Sequence, residues 1–148
     1  MRGTSAVLIL AYYFEKKELI KIISEAKKIG VEVVVECSVE EELPRVLEVN
    51  PDILMINNRP ISKIPEDPED TYSHGSIDVI LSWWERYPDL RSWKKQSGKL
   101  LISASCVNSF KDIQCLLKIP CDAALVGNSA MIARDRISFL HSLSKTKN

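Results

Sequence analysis

An α/β domain built on one parallel sheet is what this sequence predicts, and three observations predict it. Apolar, β-prone runs alternate with segments of helical period along the whole chain. Those runs are continuously apolar, which marks parallel strands joined through covering helices. Their starts, near residues 6, 31, 52, 99 and 122, lie about 25, 21, 47 and 23 residues apart, the period of a βα repeat with one lengthened unit.

The elements follow in order. AVLILAYYF (6–14) is the first strand, and ELIKIISEAKKIG (18–30) a helix with Leu19, Ile22, Ile23, Ala26 and Ile29 on one face. Gly30 suits its C-terminal stop. VEVVVEC (31–37) is a strand, VEEELPRVLEV (39–49) a helix with acidic residues in its first turn, and DILMI (52–56) a strand. A polar, Pro-rich insertion at 62–76 precedes the amphipathic helix IDVILSWWERY (77–87), and a second inserted loop is expected at 88–98. KLLISAS (99–105) is a strand, FKDIQCLLKI (110–119) a helix, AALVG (123–127) a strand and SAMIARDRISFLHSL (129–143) the last helix. Residues 1–148 thus read as a single domain, long enough to bury a core.

Composition excludes several classes. Twenty Lys and Arg balance twenty Asp and Glu, giving no electrostatic reason for a nucleic-acid or acidic-membrane partner. Cys37, Cys106, Cys115 and Cys121 lack metal-site spacing and read as free thiols of a cytoplasmic protein, with no metal. The longest apolar run, 6–14, is far below the roughly 20 residues of a membrane span, and MRGTS does not read as a secretory signal. His74 and His141 stand outside any cluster, and EDPED (66–70) reads as solvated loop. Trp83, Trp84 and Trp93 are expected in core or interface packing; Tyr12 and Tyr13, at the first strand end, suit packing or the site equally.

In parallel α/β folds ligands meet the C-terminal ends of the strands. Four of those ends are polar here: Glu36, then Asn57-Asn58-Arg59, then Ser103 to Ser105, then Gly127-Asn128-Ser129. Each alone fits a cap or a salt bridge. Together, with an arginine among them, they suit a small phosphorylated anion. Ser105, Gly127 and Asn128 would cradle the phosphate, while Asn57 and Arg59 orient a carboxylate or hydroxyl. Glu36 would transfer a proton or hold a developing cation. Asn58 is expected to turn into the structure.

VVVECS, INNRPI, SASCV and ALVGNSAM, in that order and at comparable spacing, resemble the C-terminal part of the indole-3-glycerol-phosphate synthases. The resemblance covers most of the chain apart from the two insertions. It implies an incomplete (β/α)8 barrel of five parallel strands, corresponding to family strands four to eight. It also implies a lyase reaction of tryptophan biosynthesis: ring closure of carboxyphenylamino-deoxyribulose phosphate with loss of carbon dioxide and water, without metal or cofactor. By position it assigns catalysis to Glu36 and Asn57, substrate binding to Arg59 and Ser105, and phosphate binding to Ser105, Gly127 and Asn128.

The departures are specific. Ala104 stands where the family has Glu, Cys106 where it has Gly, and Pro60 where it has Asp. Losing Gly at 106 removes the easiest route to positive φ and is expected to alter the phosphate turn. No lysine matches those the family carries on strands one to three. Five strands cannot close an eight-stranded barrel, so self-association, a complementing chain with the first three strands, or a chain cut short is expected. The alternatives are a non-catalytic phosphate-binding or assembly module, an open sheet wrapped by its helices, and, more weakly, an isomerase of the same pathway.

Overall fold

The computed structural model describes residues 3–60 and 75–144. Most of the 62–76 insertion, with His74 and the acidic run 66–70, lies outside the described residues.

Five strands, β1 (Ala6–Leu10), β2 (Glu32–Cys37), β3 (Ile53–Asn57), β4 (Leu100–Ala104) and β5 (Ala123–Leu125), form one sheet in the order β1-β2-β3-β4-β5. Every neighbouring pair is parallel. A doubly wound fold would reverse its strand order and place helices on both faces. Here the order never reverses, and the buried side chains show where the helices lie. Val33, Val35, Cys37, Leu54, Ile56 and Leu101 alternate onto one face, in one core with Leu19, Ala26, Leu43, Val46, Ile80, Trp83 and Leu90 of the helices. The opposite face carries Leu8, Leu100 and Leu125, which are 50%, 42% and 54% exposed. Ile53 and Met55, near the middle of that face, are 7% exposed each, as in a trough. This is a segment of a (β/α) barrel wall with its inner face open, not a sheet wrapped on both sides.

Local chemistry explains most boundaries. Helix α1 (Lys16–Lys28) opens with a reciprocal Glu15–Glu18 cap. It closes at Gly30, φ +73°, with Gly30 N–H donating to Lys27 and Val31 N–H to Ala26. Those two bonds make the Schellman ending that a glycine permits. Helix α2 (Leu43–Val49) follows a 3-10 turn at Glu40–Glu42 and ends at Asn50 in the left-handed region. Helices α3 (Asp78–Arg86), α5 (Phe110–Leu116), α6 (Asn128–Ile132) and α7 (Arg136–Leu143) complete the repeat units, together with α4 (Pro88–Lys94).

Three expectations need correction. The strand expected over 6–14 ends at Leu10, and Ala11–Tyr13 form a 3-10 turn. Ala11 is fully buried there, and its carbonyl accepts from Arg45 at 3.0 Å. The loop expected at 88–98 contains α4: Pro88 occupies the first helical position, where its missing N–H costs nothing, and Leu90 and Trp93 turn inward one helical step apart. The single helix expected over 129–143 is two, because Asp135 caps a new start by accepting from Ser138 N–H at 3.0 Å. Trp83 and Trp93 lie in the core, and Trp93 donates its indole N–H to the Pro51 carbonyl at 2.9 Å. No helix among the described residues is long and apolar enough to cross a membrane.

Candidate active site

The polar strand ends gather at one edge of the sheet, and the structure divides them into two adjoining groups. Glu36 and Asn57 form the first. The register sets Glu36 beside Leu10 and Met55, and Asn57 beside Ala104, so both project from the open inner face. The Asn57 amide donates to Glu36 Oε1 at 2.9 Å, and the two residues are only 6% and 7% exposed. Burial raises the Glu36 carboxyl above its ordinary value of 4.5; the Asn57 hydrogen bond opposes this, nearby Glu42 adds to it, and Arg59 opposes it. The net effect is a carboxyl that keeps its proton to higher pH than an exposed glutamate does.

The second group surrounds a cleft of about 300 Å³, with Arg59, Ser105, Gly127 and Asn128 among its walls. A hydrogen bond links the groups: Arg59 N–H donates to Asn57 Oδ1 at 3.1 Å, fixing the amide that holds Glu36. Arg59 Nε is buried with no hydrogen-bond partner among the described residues.

Asn58 explains how the edge is built. Fully buried, its amide nitrogen donates toward Ser103 Oγ at 2.8 Å, the Ala104 carbonyl at 2.9 Å and the Ser105 carbonyl at 3.2 Å. Its oxygen accepts from Ile80 N–H at 3.2 Å, and its own N–H donates to the Ala104 carbonyl at 2.9 Å. One inward amide therefore ties the end of β3 to the end of β4 and to the start of α3. That frees its neighbours, Asn57 and Arg59, to face outward.

The turn after β4 departs from expectation in a definite way. Ser105 and Cys106 take φ values of +65° and +61°, successive left-handed residues without a glycine. Such a conformation costs a non-glycine residue about 1–2 kcal/mol. The Asn58 bond to the Ser105 carbonyl helps hold it, and the Cys106 thiol lies 3.9 Å from the Asn58 carbonyl. Replacing the expected glycine at 106 has thus kept the positive φ rather than removed it. Gly75 completes the arrangement, since a Cβ there would fall 2.6 Å from Cys106 Sγ and 2.9 Å from the Asn58 oxygen.

Sequence reasoning missed Asn108 and Gly75 as cleft walls. Asn108 accepts from the Ser129 hydroxyl, joining the turns after β4 and β5, while Asp112 holds its N–H at 2.9 Å. Its position four residues past a polar strand end was the available signal. Tyr12 and Tyr13 stack edge to face at 5.1 Å and are 51% and 65% exposed, so they join neither the core nor the cleft. Lys99, at the start of β4, lies at the other end of the sheet, bonded to the Asn50 and Pro51 carbonyls and to Asp52.

Known proteins carry the same pattern. Residues 1–74, half of the chain, match the family model described as indole-3-glycerol phosphate synthase. Relatives of that name include one from Bacillus velezensis, 33% identical over 87% of this chain and 45% of its own length. Another, from Lachnospira eligens, is 31% identical over 88% of this chain and 44% of its own. The relative from Petrotoga mobilis is 28% identical over 91% and 49%. Among solved structures, 3-hexulose-6-phosphate synthase superposes with a TM-score of 0.64 over 95% of this chain and 61% of that one, at 15% identity, a likeness of fold alone. The chain spans about half the length of the curated relatives it matches. Sequence model, motif order and the barrel-wall fold agree that this chain belongs to the indole-3-glycerol phosphate synthase family.

Proposed function

We propose that the chain serves the reaction its relatives are named for, the synthesis of indole-3-glycerol phosphate, as the half that binds the phosphorylated substrate. The observation that carries this reading is the cleft, which Arg59, the Ser105 turn and the Gly127–Asn128 turn line together. Backbone turns, hydroxyls and a cation together are the chemistry of a phosphate monoester site. The phosphate would lie between Ser105 and Asn128, with the carbon skeleton running along the inner face toward Asn57 and Glu36. There the raised proton affinity of Glu36 suits proton transfer, and Asn57 fixes its orientation.

Beyond Glu36, no carboxylate of the described residues stands at this site. Ala104, where the family has a carboxylate, stands beside Asn57 in the register. Among the described residues, no lysine lines the cleft. Each general acid or base contributes about 10²–10⁴-fold, so the chain alone would bind without measurable turnover. A second reading, a non-catalytic phosphate-binding module, is favoured by the loss of the carboxylate at 104.

Calorimetric titration with indole-3-glycerol phosphate tests the binding claim. Saturable binding is expected, weakened roughly 10–100-fold in Arg59→Ala, as for loss of a charge-assisted hydrogen bond. Equal affinity in the two proteins, or none in either, would remove the cleft from the account.

A further inference from the structure

The backbone ladder between β4 and β5 is short. It pairs Ile102 with Ala123, Ser103 with Ala124 and Ala104 with Leu125, and stops there. The cleft lies beyond it, with walls that include Ser105 to Asn108 on one side and Val126 to Ser129 on the other. The ladder therefore does not set the distance between those walls. Asn58 holds the first wall from the β3 side, through the Ala104 and Ser105 carbonyls. From the β5 side, one side-chain hydrogen bond among the described residues crosses the gap, from the Ser129 hydroxyl to Asn108 Oδ1.

Asn108 is itself held in place. Its backbone N–H donates to Asp112 Oδ2 at 2.9 Å, and the same oxygen accepts from the Ser109 hydroxyl at 2.9 Å. Its amide nitrogen donates to the Cys106 carbonyl at 3.4 Å. A carbonyl can only accept, so the nitrogen faces Cys106 and the amide oxygen faces Ser129. The Ser129 hydroxyl is then the donor, with its proton committed to Asn108 rather than to a ligand. Because Cys106 sits at φ +61°, the same amide also braces the left-handed turn after β4.

We propose that the Asn108–Ser129 bond is a strut that sets the width of the cleft, making the two side chains positioning residues for the phosphorylated ligand; both roles rest on the cleft being a phosphate site. A phosphate monoester held from both walls at once takes donors at hydrogen-bond distance on each, so its affinity depends on their separation. Neither side chain has to touch the ligand. Without the strut, the β5 turn is joined to β4 through three residue pairs alone, and ordering it would cost affinity.

Calorimetric titration with indole-3-glycerol phosphate compares the whole chain with Asn108→Ala, Ser129→Ala, the double variant and Ser129→Thr. The bond lies at the surface, so all four variants should fold, which circular dichroism checks. Each single alanine variant should weaken binding roughly fivefold to tenfold, as for loss of one hydrogen bond. The double variant should be no weaker than the weaker single one, because either change breaks the same bond. Ser129→Thr keeps the hydroxyl and should bind as the wild type does. Losses that multiply in the double variant overturn the strut, since the two side chains would then act separately. So does an affinity within about twofold of wild type in either single alanine variant, or a Ser129→Thr variant as weak as Ser129→Ala. Absence of binding by the wild type overturns the reading of the cleft, and the strut with it.

Discussion

Asn58→Ala is the substitution by which the architecture of the polar edge stands or falls. The side chain is fully buried and satisfies the Ile80 N–H, the Ser103 hydroxyl and the Ser105 carbonyl at once. Truncation leaves at least two buried polar groups, Ile80 N–H and Ser103 Oγ, without these partners. At about 1–3 kcal/mol for each orphan, a loss of about 4 kcal/mol is expected, a large part of the roughly 5–15 kcal/mol that holds a domain together. With a urea m-value of about 2 kcal/mol/M, the unfolding midpoint should fall by about 2 M. Asn58→Asp should fare no better, because a buried carboxylate would face the Ala104 and Ser105 carbonyls where an amide now donates. The assay is equilibrium urea unfolding followed by tryptophan fluorescence, with Trp83 and Trp93 in the core as reporters. A midpoint shift below about 0.5 M at unchanged m would refute the idea that this amide ties the two strand ends together.

Two further outcomes follow from the same edge. Gly75→Ala places a Cβ against both Cys106 Sγ and the Asn58 carbonyl, and overpacking of that kind should cost about 1–3 kcal/mol. Adding Cys106→Gly should recover only part of the loss, because the backbone oxygen remains in the way; full recovery in thermal unfolding would show that the thiol alone sets the fit. Glu36 has a raised proton affinity in the folded chain, so the folded state binds more protons than the unfolded one above pH 4.5. Wild-type stability should therefore fall as pH rises from that value through the raised one, and Glu36→Gln should lack that fall. Denaturation midpoints measured from about pH 4 to about pH 8 check the sign; parallel profiles for the two proteins would contradict it.

Much of this was legible in the sequence because the signals were local. Continuous Val and Ile runs identify parallel strands, and Gly30 marks a helix end whatever surrounds it. Polar residues at four strand ends were legible as an edge because the βα repeat fixes which end they share. What escaped depended on competition between local and distant contacts. Pro88 and its polar neighbours resemble a loop until Leu90 and Trp93 find the core. Asp135 can sit within a helix or cap one, and its hydrogen bonds to Ser138 decide for the cap. The positive φ at Ser105 and Cys106 was legible only as a missing glycine, since the residue that holds the turn, Asn58, is 47 positions away from Ser105 in the chain.

The central claim is a retained binding edge with alanine at 104 where the family carries a carboxylate, and one measurement meets it directly. Saturating carboxyphenylamino-deoxyribulose phosphate is added to the purified chain and to Glu36→Gln, with indole fluorescence followed over hours. The account predicts no indole signal above the uncatalysed background from either protein. Product from the wild type that disappears in Glu36→Gln would contradict it, because the site would then be complete in this chain.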